Sequence, residues 1–92
     1  MIVGLLEVEL EVPGACSLKD KRQVLRSLKD RIRQKFNVSV AEVDDQDVWQ
    51  SGVLAVAIIA TDKQYANQVL SQVVNFIERN PEANIRDYHL RL

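Results

Sequence analysis

The stretch SLKDKRQVLRSLKDRIRQKFNVSVAEVD, residues 17–44, reads as one amphipathic helix running directly into a strand. Ser17 opens the helix: its hydroxyl can accept from the backbone N–H of Asp20, and Asp20 can answer in the manner of a capping box. At ~100° per residue, Leu18, Leu25, Leu28, Ile32 and Phe36 fall within one narrow stripe, with Val24 at its edge. A helix with such a stripe lies on a sheet. Asn37 is a good terminator, and residues 38–43, rich in β-branched side chains, form the strand that follows.

The same wheel sets Lys19, Arg22, Arg26, Lys29 and Arg33 in a second stripe beside the apolar one. Residues 17–36 hold eight basic side chains against two acidic ones, a local charge of +6, whereas the whole chain carries −1. Everything outside the helix therefore sums to −7. Like charges three and four residues apart repel and destabilise a helix modestly. The same spacing aligns them into a rail roughly 20 Å long at ~1.5 Å rise per residue. A dipolar chain of this kind can meet a polyanion on one side while staying acidic overall.

Working outward, residues 2–12 alternate with period two. Ile2, Gly4, Leu6, Val8, Leu10 and Val12 share one face, and Val3, Leu5, Glu7, Glu9 and Glu11 the other. Pro13-Gly14 ends that strand. Beyond the helix and its strand, residues 44–47 form a reversal, and residues 53–61 a strand apolar on both faces, as central strands are. Thr61 or Asp62 caps a second helix whose buried stripe is Ala66, Val69, Leu70, Val73, Phe76 and Ile77, stopped by Asn80-Pro81. Residues 84–92 alternate as a last strand. The order β-α-β-β-α-β predicts a single α+β domain over residues 1–92: a ferredoxin-like sandwich, with residues 2–12 and 53–61 as adjacent central strands of a four-stranded antiparallel sheet and both helices on one face.

Composition narrows the function. Ninety-two residues make one small core, not two lobes around a deep cleft. The longest apolar run, residues 53–60, is too short to cross a bilayer, and the N-terminal stretch lacks the basic flank of a signal peptide. A single cysteine, Cys16, forms neither an internal disulfide nor a thiolate metal cluster. The expected compartment is the cytoplasm, with no membrane contact and no cofactor.

No catalytic constellation is legible. His89 is the only histidine, without a nucleophile near it in sequence, and Cys16 has no basic partner of known position. Glu42, Asp44, Asp45 and Asp47 lack the spacing of a calcium loop and suit a hairpin reversal, so no metal is expected. The loop after the first strand has no arginine of the kind acylphosphatases use for phosphate. Base stacking on central-strand aromatics, the mode of RNA-recognition domains, is excluded: residues 2–12 and 53–61 contain no Phe, Tyr or Trp. Trp49, alone in a polar loop, either folds back over the sheet or anchors a partner.

The pattern IVGLLEVELEVP, then SLKDKRQVLRSLKDRIRQKFNVSVAEVD, then QDVWQ before the apolar strand, resembles the YlxP-like family of small bacterial proteins. The resemblance runs through nearly the whole chain and covers Ser17, Leu18, Lys19, Lys21, Arg22 and Trp49. It implies a ferredoxin-like fold, a cytoplasmic bacterial protein, and a genetic association with translation factors and ribosome-binding factor A. It supplies no activity and no catalytic residue.

Two functional expectations follow. One is a non-enzymatic accessory protein that binds RNA or a ribosomal surface along Lys19, Arg22, Arg26, Lys29 and Arg33. The other is a homodimer or protein-docking module that uses the open sheet face, with Val3, Leu5 and Trp49 as contacts and no nucleic acid.

Overall fold

The computed structural model describes residues 1–44 and 48–92. Its elements follow in the order β1 (Ile2–Glu11), α1 (Leu18–Lys35), β2 (Ser39–Asp44), β3 (Ser51–Ala60), α2 (Lys63–Glu78) and β4 (Asn84–Arg91). The strands form one antiparallel sheet in the spatial order β2-β3-β1-β4, so β1 and β3 are the adjacent central pair. Even-numbered positions of both strands face the helices. A methyl group on Gly4 would stand 3.1 Å from Leu70 Cδ1 of α2, and one on Gly52 would stand 3.0 Å from Leu25 Cδ1 of α1. Both helices therefore cover one face, and the other face is open. This is the ferredoxin-like sandwich that the element order predicts.

Local chemistry explains the ends. Ser17 accepts from the Asp20 N–H at 3.1 Å, as expected of an N-cap. The Asp20 carboxylate reaches back to the N–H of Cys16, at 3.0 Å, rather than to that of Ser17. Asp62, not Thr61, caps α2 by accepting from Tyr65 N–H at 2.8 Å. The helix α1 stops at Phe36, whose backbone is extended while its N–H still reaches the Ile32 carbonyl at 2.8 Å. Asn37 lies beyond that cap. β3 begins at Ser51, earlier than its apolar run, because Ser51 and Gly52 pair with Glu11 and Leu10. Of the expected reversal, Asp45, Gln46 and Asp47 lie outside the described residues.

The core sits between sheet and helices. Leu6, Val8 and Leu10 of β1, Leu54 and Val56 of β3, Leu25, Leu28 and Ile32 of α1, and Leu70, Val73 and Ile77 of α2 are all fully buried. Val74 is buried too, whereas Phe76 is only half-buried and meets Phe36 edge to face at 5.8 Å over the seam between the helices. Because Leu28 is closed in on every side, Leu28→Ala should destabilise the protein by about 2–5 kcal/mol in urea unfolding, with an unchanged m-value.

Candidate functional site

The first turn of α1 holds the least expected contact. Lys21 is 0% exposed, and its Nζ lies 3.1 Å from Oε2 of Glu42, a carboxylate that is itself only 14% exposed. The same Nζ donates to the Ser51 carbonyl at 3.1 Å. One cation thus joins α1 to β2 and β3. Gly52 leaves the room for it: a methyl there would come within 3.1 Å of Glu42 Oε2. Two signals in the sequence carried this pair. Lys21 falls inside the apolar stripe of the helical wheel, between Leu28 and Leu25, and Glu42 shares the inward register of Val38 and Val40.

With Lys21 anchored below, the five cations of the rail divide. Lys19, Arg22 and Arg26 are exposed and make no ion pair among the described residues, while Lys29 is half-buried. Arg33 is committed elsewhere. Its Nη2 donates to the Val40 carbonyl at 2.7 Å and its Nη1 to Asp30 at 3.3 Å, tying the helix to strand β2. The rail therefore narrows to three fully presented cations and Lys29. The remaining cations of α1, Arg31 and Lys35, lie on the opposite flank beside α2, where the ammonium of Lys35 is 5.1 Å from the centre of the Phe76 ring.

The open sheet face has two halves. Toward β2 and β3 it is apolar: Val3 and Ile59 are cross-strand partners, 58% and 73% exposed, with Leu5 and Ala57 half-buried beside them. Toward β4 it is charged. Glu11 pairs with Arg86 at 3.0 Å, Glu7 with Arg91 at 3.8 Å, and Asp87 lies 3.6 Å from His89. Trp49 is 49% exposed, and Cys16 is exposed in the loop before α1. Among the described residues no three His, Cys, Asp or Glu side chains gather as a metal site. Among the described residues no helix is long and apolar enough to cross a membrane.

The family described as "Protein of unknown function (DUF503)" matches residues 3–90. A bacterial protein called "Uncharacterized protein YlxP", from Bacillus subtilis (strain 168), is 36% identical over 81 residues, covering 88% of each chain. Among solved structures, the designed protein LFR1 1 with ferredoxin fold superposes with a TM-score of 0.60 at 15% identity, covering 100% of this chain and 87% of its own. The designed protein Foldit4 does so with a TM-score of 0.62 at 10% identity, covering 99% and 98%. Likeness to such designs carries the fold alone.

The buried pair is the part of this region most open to direct test. Lys21→Met leaves the Glu42 carboxylate over Gly52 without its cation. The loss should lie at the lower end of the ~3–5 kcal/mol typical of a broken buried pair, since Glu42 keeps some solvent. Lys21→Met combined with Glu42→Leu should recover most of it. Thermal unfolding of the single and double variants measures the difference.

Proposed function

This chain belongs to the DUF503 family, and we propose that it is a non-enzymatic accessory protein that binds the phosphate backbone of RNA along one flank of α1. The observation that carries this reading is the alignment of Lys19, Arg22 and Arg26, exposed and without ion pairs among the described residues, on a helix whose neighbouring lysine is buried. Unpaired cations at that spacing attract a polyanion and release its counterions when it binds. The net charge of −1 limits indiscriminate adhesion to other surfaces. The expected translation link of the family resemblance and a cytoplasmic setting fit this reading.

A second reading is favoured by a different observation: the Val3–Ile59 pair is too exposed for a face that meets only water. On that reading the open sheet face closes against a second copy, with Leu5 and Trp49 at the contact.

Binding of a single-stranded oligoribonucleotide, followed by fluorescence anisotropy over a salt series, should give a log–log slope with magnitude between about 2 and 3, as three or four phosphate contacts require. Arg22→Glu with Arg26→Glu should abolish binding at an unchanged melting temperature. A parent protein without salt-sensitive binding, or a double variant that binds as well as the parent, would remove the RNA reading. For the sheet face, sedimentation at tens of micromolar should show a dimer that Ile59→Lys converts to monomer. A parent already monomeric there would remove the second reading.

A further inference from the structure

The seam between α1 and α2 holds a group of side chains that neither reading uses. The helices are antiparallel there, so Leu28 and Arg31 face Asn80 and Arg79, and Phe36 faces Gln72 and Phe76. Two clefts of about 150 Å³ each adjoin along this seam and share Lys35, Phe76 and Arg79. Arg31, Lys35 and Arg79 line the pair of clefts with no carboxylate among the lining residues, and none of the three makes an ion pair among the described residues. Like charges converging on a concavity raise the local potential for an anion.

Asn80 supplies the second, independent observation. It is only 6% exposed and lines the cleft beside Arg31 and Lys35. Its Oδ1 accepts from the Glu82 N–H at 2.9 Å, which fixes the amide's orientation. The other end, Nδ2, is buried with no hydrogen-bond partner among the described residues. A buried amide donor without a partner is costly and calls for an acceptor. Nδ2 is sealed from solvent, so the side chains that cover it must draw aside to admit one.

The adjoining cleft has a different character. Gln72 and Asn75 offer amides there, and Phe36 and Phe76 offer half-buried rings. Lys35 now covers the Phe76 ring, and turning its ammonium toward an anion would uncover the ring for stacking.

We propose that this interhelical seam binds a small phosphate monoester bearing a planar ring, with the phosphate among Arg31, Lys35, Arg79 and the Asn80 amide and the ring against Phe76. A nucleoside monophosphate is the simplest molecule with both parts. The site lies on the opposite flank of α1 from Arg22 and Arg26, so it stands or falls independently of the RNA rail.

The test is a titration of the full chain, labelled with ¹⁵N, with AMP, ribose 5-phosphate and adenosine as separate probes. AMP should shift the Asn80 side-chain amide, and ribose 5-phosphate should do so more weakly. Adenosine should not bind measurably. Arg79→Glu and, separately, Arg31→Glu should each weaken AMP by at least ~tenfold, the loss of one charge-assisted contact, while the remaining spectrum stays dispersed. Arg22→Glu with Arg26→Glu should leave AMP binding unchanged. An Asn80 amide that does not move, adenosine binding as well as AMP, or equal weakening by the rail variant would each overturn the proposal.

Discussion

The contact between Lys21 and Glu42 is the constraint on which the placement of α1 depends. A cation in the first turn of a helix opposes the helix dipole, and a buried one also loses its hydration. Lys21 is held there by a carboxylate at 3.1 Å and a backbone carbonyl at the same distance, on two different strands. A slip of α1 by one turn along the sheet would carry the ammonium into hydrocarbon and away from Glu42. The pair thus selects one register of helix on sheet, which leucines alone would specify less sharply.

That register sorts the side chains of α1 into a buried face and two flanks. Leu25, Leu28 and Ile32 fill the core. Arg33, on the flank toward β2, covers the Val40 carbonyl at a sheet edge and so blunts a place where another strand could pair. Arg22 and Arg26, on that flank, make no ion pair among the described residues, and Arg31 and Lys35 line the seam with α2. Charge that looks like one +6 block along the chain is, in space, two separate basic surfaces with a buried ion pair between them.

Much of this was legible in the residues. Period-two alternation in β1 and the apolar run in β3 placed both central strands, and the wheel of α1 named its buried leucines. Helix ends shifted by only a residue or so, because caps depend on local hydrogen bonds that short motifs encode. The partners of Lys21 and Arg33 were harder. Arg33 bonds a backbone carbonyl seven residues away, and nothing in side-chain type signals such a contact. Lys21 was signalled by its place within the apolar stripe, but a lysine there reads as an exception until Glu42 is seen to share the inward face. The seam of Arg31, Lys35, Arg79 and Asn80 draws on two helices, and only their antiparallel approach assembles it.

β1 lies at the centre of the sheet, with β3 on one side and β4 on the other. Its partners are therefore distant in sequence: Leu6 is opposite Val56 across one edge and opposite Leu90 across the other. Loops that long must close before these pairings contribute any stability, so the fold is expected to form slowly for its size. During synthesis β1 emerges before, and β4 after, the other elements of this sheet and its helices. Until β4 arrives, one edge of the central strand stays open, with Leu6, Val8 and Leu10 incompletely covered. The nascent chain thus has a period of vulnerability to intermolecular strand pairing, set by the order of its strands in the sheet.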